Sequence, residues 1–132
     1  MNSQPDAGRR ILIVEDDELI RRAMQMVLEW EGYQVSCVNN GQEALDSLRS
    51  GEHPALIVLD IMMPVLDGQQ FRHEQLRDPS LAAIPVIVVS AASFAEVVNA
   101  AHHVRKPFEV QELIDAIHEQ VGQSAKIANH GS

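Results

Sequence analysis

Cysteine is nearly absent from this 132-residue sequence, where Cys37 stands alone. One thiol cannot close an internal disulfide, nor can it build a cysteine zinc site unaided, so folds stapled in those ways are excluded. Cys37 reads as a buried strand residue, with a free reactive thiol as the other reading. Basic residues are also few: ten Lys and Arg stand against nineteen Asp and Glu, a net charge of −9. That balance repels phosphate backbones and argues against nucleic-acid binding. Long apolar runs are missing too. Stretches such as Ala55–Leu59 and Val86–Val89 are strand-sized and far short of a membrane span, so no membrane insertion is expected. Met1–Gly8 is polar and holds no apolar signal core, which fits a cytoplasmic protein. No internal repeat or low-complexity segment interrupts the chain.

What is present suffices for one domain with a real core, and not for two. Hydrophobic residues make up 45% and charged residues 22%, ordinary values for a globular chain. Short β-branched runs alternate with helix-period segments five times. Ile11–Val14 is the first strand. Ile20, Ala23, Met24, Val27 and Leu28 then mark one face of a helix closed near Gly32. Gln34–Val38 is the second strand, and Gln42–Ser50 a short helix between Asn40 as cap and Gly51 as stop. Ala55–Leu59 and Pro85–Val89 are apolar throughout, as strands covered on both faces are. Asp67-Gly68 opens a helix with a thin apolar pattern, Phe71 and Leu76. Phe94–Ala100 is a weak helix and His103–Arg105 a weak fifth strand. Val110, Leu113, Ile114, Ile117 and Val121 define the last helix. Residues 1–8 and 122–132 are expected to be flexible tails around a domain at 9–121. The alternation predicts an α/β fold: a five-stranded, doubly wound parallel sheet.

In such a sheet, ligands bind beyond the carboxyl ends of the strands. The residues there are Glu15-Asp16-Asp17 after the first strand, Asp60 after the third, Ser90 after the fourth and Lys106 after the fifth. Each fragment also admits a purely structural account. Acidic residues stabilise a helix N-terminus, a serine after a strand can be a cap, and a lysine before proline can simply be solvated. Asp60 resists that account, because a carboxylate closing an apolar strand needs a compensating cation.

Taken together, Ile11-Leu-Ile-Val-Glu15-Asp16, Val58-Leu-Asp60-Ile-Met-Met-Pro64-Val-Leu-Asp67-Gly68, Val86-Ile-Val-Val-Ser90-Ala91 and Lys106-Pro107-Phe108 resemble the receiver domains of response regulators. The resemblance runs from about Arg10 to Val121 and points to a stand-alone, chemotaxis-regulator-like member. It implies the flavodoxin-like strand order 2-1-3-4-5. It also implies that Asp60 accepts a phosphoryl group from a sensor histidine kinase or phosphotransfer protein. Glu15, Asp16, Asp60 and the backbone carbonyl of Met62 would hold Mg²⁺. Ser90 and Lys106 would bind phosphoryl oxygens, and Lys106-Pro107 would be a cis peptide. Asp17 is assigned to capping the first helix. The domain would be no enzyme in the ordinary sense, promoting only its own phosphorylation and dephosphorylation, and would signal through contacts with a downstream protein.

Two positions depart from the family pattern. Lys106 follows Ser90 by sixteen positions, fewer than is usual, so the segment between them is shortened. His103 stands where the switch aromatic normally sits, which puts the usual coupling from Ser90 in question. Of the adjacent His102 and His103, one is expected to be partly buried and the other exposed, since neighbouring strand residues face opposite ways. Two other functions compete. One is a receiver-like binding module that works without phosphorylation. The other is a metal-dependent phosphohydrolase, which would need an acid/base carboxylate where Met62 stands, and a cap segment.

Overall fold

A computed structural model of the chain describes residues 10–51, 53–60, 68–90, 101–106 and 108–130. Five short strands, β1 (Arg10–Val14), β2 (Gln34–Val38), β3 (Leu56–Asp60), β4 (Val86–Ser90) and β5 (His102–Arg105), form one parallel sheet in the order β2-β1-β3-β4-β5. The expected fold class and strand order are both met. Register is set by pairs such as Val14↔Val38, Val14↔Leu59 and Val88↔His103.

The apolar strands are explained by two cores, one on each face. Ile11, Ile13, Leu56, Val58, Ile87 and Val89 pack toward Met24, Leu28, Leu113, Ile114 and Ile117, from α1 (Glu18–Trp30) and α5 (Val110–His130). The alternate residues Leu12, Val14, Ile57, Leu59, Val86 and Val88 pack toward α2 (Gly41–Arg49), Phe71 of α3 (Gly68–Arg77) and Leu81 of α4 (Pro79–Ala82). The strands β1, β3 and β4 thus bury both rows of side chains, at roughly 1.5–3 kcal/mol for a fully buried Val, Leu or Ile. A polar residue inside β3 would have no solvent to face, which is why charge is deferred to the strand end.

Local signals place the helices. The Asp17 carboxylate accepts from the Leu19 and Ile20 amides at 3.0 and 3.1 Å, the N-cap role assigned to it. Asn40 caps α2 through the Glu43 amide at 2.9 Å, while Glu43 accepts from the Asn39 amide at 2.8 Å, a reciprocal arrangement. Gly32 (φ 98°) and Gly51 (φ 107°) end α1 and α2 in the left-handed region.

Three details differ from expectation. Helix α5 runs to His130, beyond Val121, where the apolar pattern ends and a flexible tail was expected. Loss of periodicity removes the packing signal, but Gln, Ala, Lys and Ile residues keep adequate helix propensity. Helix α4 is new; four residues are too few to show a period, although Asp78-Pro79 carries the cap and first-turn proline of a helix start. Cys37 is only partly buried, because β2 is an edge strand, and its thiol donates to Gln25 Oε1 at 3.4 Å. The expected helix at Phe94–Ala100 and the tail at 1–8 lie outside the described residues. No helix among the described residues is long and apolar enough to cross a membrane.

Candidate functional site

Because β1 and β3 are neighbours in register, with Val14 beside Leu59, the residues that leave them bring two carboxylates to the same edge. Glu15 and Asp60 are both nearly buried, at 1% and 4% exposure, whereas Asp16 is exposed. One carboxylate oxygen from each of the three lies within 4.8 Å of the other two. Lys106, following β5 and far away in sequence, reaches back over the strand ends. Its Nζ donates to Glu15 Oε1 at 3.1 Å and lies 3.5 Å from Asp60 Oδ2. This is the compensating cation that a carboxylate at the end of β3 requires.

The acidic turn is held rigidly. The Glu15 amide donates to Val38 O at 3.2 Å, continuing the β1–β2 ladder by one residue. Glu15 Oε2 accepts from the Asp17 amide at 3.2 Å, and Arg21 Nη1 donates to the Glu15 carbonyl at 3.0 Å. Asp17 therefore serves both α1 and the turn that aims Glu15. Sequence reasoning did not single out Arg21, which looks like an ordinary polar position on an amphipathic helix.

Electrostatically the cluster is under-compensated. Burial, the neighbouring Asp60 charge and the hydrogen bond with Asp60 push the Glu15 carboxyl up to about 7, against the pull of Lys106. Burial alone would lower the Lys106 ammonium, but Asp60 and Glu15 together hold it above its ordinary value. Three carboxylates with one ammonium favour a further cation. Hard oxygen donors with room for water suit Mg²⁺, which keeps several waters and accepts only one or two carboxylates directly. The residues present therefore fit that ion.

Ser90 ends β4, beside Arg105, and His103 lies in β5 opposite Val88, so both backbones sit where the sequence reading put them. The side chains of Ser90, His102 and His103, and all of Met62, Asp67 and Pro107, are outside the described residues, as is the proposed cis bond.

A family model for the response regulator receiver domain matches residues 11–118. The chain belongs to that family, the receiver domains of two-component signalling. Among curated proteins, the uncharacterized transcriptional regulatory protein YkoG of Bacillus subtilis is 38% identical over 120 residues, covering 86% of this chain and 51% of that protein. The response regulator MprA of Mycolicibacterium vanbaalenii is 38% identical over 111 residues, covering 80% of this chain and 47% of that protein. The chain thus spans about half the length of the curated relatives it matches. Among solved structures, the receiver domain of a signal transduction histidine kinase from Syntrophus aciditrophicus superposes with TM-score 0.79 at 32% identity, covering 86% of this chain and 90% of that one. The receiver domain of the sensor histidine kinase PA1611 from Pseudomonas aeruginosa superposes with TM-score 0.80 at 26% identity, covering 87% of this chain and 98% of that one, and carries a magnesium ion in its active site cleft.

Proposed function

We propose that Asp60 is the phosphoryl acceptor of this receiver domain, taking the group from the phosphohistidine of a sensor kinase or phosphotransfer protein. The observation that carries this reading is the bridge of Lys106 across Glu15 and Asp60, with Asp16 alongside, at one edge of the sheet. An Asp60 oxygen attacks phosphorus in line, the O–P bond forms, the N–P bond breaks, and the imidazole leaves. Little covalent work falls to the protein, so positioning and charge neutralisation dominate. Lys106, 3.5 Å from Asp60 Oδ2, holds the Asp60 side chain in place and then follows the phosphoryl oxygens. Ser90, ending β4, offers a hydroxyl to another phosphoryl oxygen, and His103 stands at the position that would read the change. Mg²⁺ held by Glu15, Asp16 and Asp60, with the Met62 carbonyl, would neutralise charge on the transferring group.

On this reading the domain acts on no external substrate. It works in the cytoplasm and passes its signal to a downstream protein through contacts that change when a dianion appears at Asp60. The test is intact-protein mass after exposure to acetyl phosphate with Mg²⁺, and separately to beryllium fluoride, for wild type and Asp60→Asn. One adduct on wild type and none on the variant are expected. Equal labelling of Asp60→Asn would remove Asp60 from this role. Refusal of both reagents by wild type would favour a binding module that works without phosphorylation.

A further inference from the structure

Helix α2 is entered through Asn39-Asn40-Gly41, and Asn40 is the only asparagine in the chain followed by glycine. The backbone nitrogen of the next residue is the nucleophile that attacks an asparagine side-chain amide. Glycine, with no Cβ, leaves that nitrogen open to approach and its backbone free to turn. As the first residue of α2, Gly41 also has an amide with no intrahelical carbonyl to occupy it. Asn40 itself is half-buried, so water reaches it.

The fold opposes the same reaction. Ring closure needs Asn40 Cβ nearly eclipsed with the Gly41 nitrogen, which tetrahedral geometry at Cα puts at a ψ of about −120°, outside the main allowed regions. Asn40 sits in extended backbone at φ −160° and ψ 174°. Its Oδ1 accepts from the Glu43 amide at 2.9 Å, its carbonyl accepts from the Ala44 amide at 3.1 Å, and Glu43 Oε1 accepts from the Asn39 amide at 2.8 Å. Turning Asn40 to the reactive angle strains or breaks all three bonds. The geometry points to Asn40-Gly41 as a deamidation site that the reciprocal cap of α2 holds in check, reacting when the first turn of the helix opens. In that step a base takes the Gly41 N–H proton and the nitrogen attacks Asn40 Cγ. The new N–C bond closes a cyclic imide, and the Cγ–Nδ2 bond breaks as ammonia leaves with a proton from water. Water then opens the imide. Cleavage between Gly41 N and Cγ leaves aspartate at this position, whereas cleavage between Gly41 N and the Asn40 carbonyl carbon leaves isoaspartate. Aspartate caps as well as asparagine and adds negative charge at the positive end of the helix. Isoaspartate lengthens the backbone by one carbon and loses the cap, two residues after Val38, whose carbonyl accepts from the Glu15 amide.

Losing one cap bond shifts an opening equilibrium roughly fivefold, and two are at stake, so Asn40 should react about tenfold or more slowly in the folded chain than in the unfolded one. The full chain is held at mildly alkaline pH, with and without urea, and the tryptic peptide of residues 23–49 is followed by mass and retention time. In urea it should become a mixture of aspartate and isoaspartate forms. Glu43→Ala, at an exposed position and checked by circular dichroism, should speed the folded reaction about fivefold and leave the rate in urea unchanged. Gly41→Ala should slow the reaction in urea, where folding plays no part. Of the separated products, the aspartate form should melt with the unmodified chain and the isoaspartate form below it. Any of the following overturns the inference: a folded rate equal to that in urea, aspartate formed without isoaspartate, a Gly41→Ala chain that reacts as fast, a folded rate indifferent to Glu43→Ala, or an isoaspartate form as stable as the unmodified chain.

Discussion

Magnesium affinity should depend steeply on pH below neutrality, because Glu15 must shed its proton to bind. In the metal-free site the Glu15 carboxyl is pushed up to about 7 by burial and by Asp60. At pH 8 it is mostly ionised, and a hard cation meets a ready ligand. One unit below the midpoint only about a tenth of the carboxyl is ionised, so apparent affinity should fall roughly tenfold between pH 8 and pH 6. Near pH 7, each ion bound should release about half a proton. Folding stability without metal runs the other way. An unfolded Glu15 ionises near 4.5 and the folded one near 7. The folded state therefore holds the extra proton between those values, and stability falls as pH rises through that window, by something on the order of 2–3 kcal/mol. Calorimetric titration with Mg²⁺ in buffers of different ionisation enthalpy measures both affinity and proton release. Glu15→Gln should bind more weakly and lose the pH dependence. Mg²⁺ affinity that is flat from pH 6 to pH 8, with no proton released, would mean that Glu15 is already ionised and that the reasoning about its surroundings is wrong.

Lys106→Met removes the ammonium that pulls the Glu15 carboxyl down, so the pH midpoint for Mg²⁺ binding should move upward. The metal-free variant should also lose on the order of 3 kcal/mol at pH 8 but less at pH 6, where Glu15 keeps its proton; an unmoved midpoint in calorimetry would refute this. Asp16→Asn replaces an exposed carboxylate, so thermal unfolding should be nearly unchanged while Mg²⁺ affinity drops roughly tenfold or more. Gln75 is fully buried, donates to the Leu81 and Ile84 carbonyls at 2.9 and 3.1 Å, and accepts from Arg72 at 2.6 Å. Gln75→Leu should therefore destabilise the fold by about 3 kcal/mol in urea unfolding, and a loss below the measurement error would show that these carbonyls find other partners.

The centre of the sheet was legible because β1, β3 and β4 are buried on both faces, and apolar residues at consecutive positions leave little other choice. The caps at Asp17 and Asn40 were legible for a local reason: their partners lie two or three residues away. Helix α3 was harder to read. Its inward side uses Arg72 and Gln75 beside Phe71, and a buried glutamine that satisfies two carbonyls looks in sequence like a surface residue. Arg21 was invisible for the converse reason, since its role depends on a backbone carbonyl six positions back. The extension of α5 went unread because periodicity reports packing, not helix formation.

The acidic site could be read as a set of strand ends, but not as a balance of charges. That balance is a tertiary property: Glu15 and Lys106 lie 91 positions apart, yet their side chains are hydrogen-bonded. The same geometry explains why the site is costly without its ligands. Two nearly buried carboxylates share one ammonium, and Glu15 answers by holding its proton into the neutral range. A fold selected for stability alone would replace one of the acids by an apolar residue. Keeping both preserves a repulsion that a divalent cation would relieve, and a Lys106 ammonium whose attachment to Asp60 would weaken if, as proposed, Asp60 became an acyl phosphate. The phosphoryl oxygens would then offer that ammonium a stronger partner. The two apolar cores beneath the strand ends hold these groups in register whichever partner the ammonium takes.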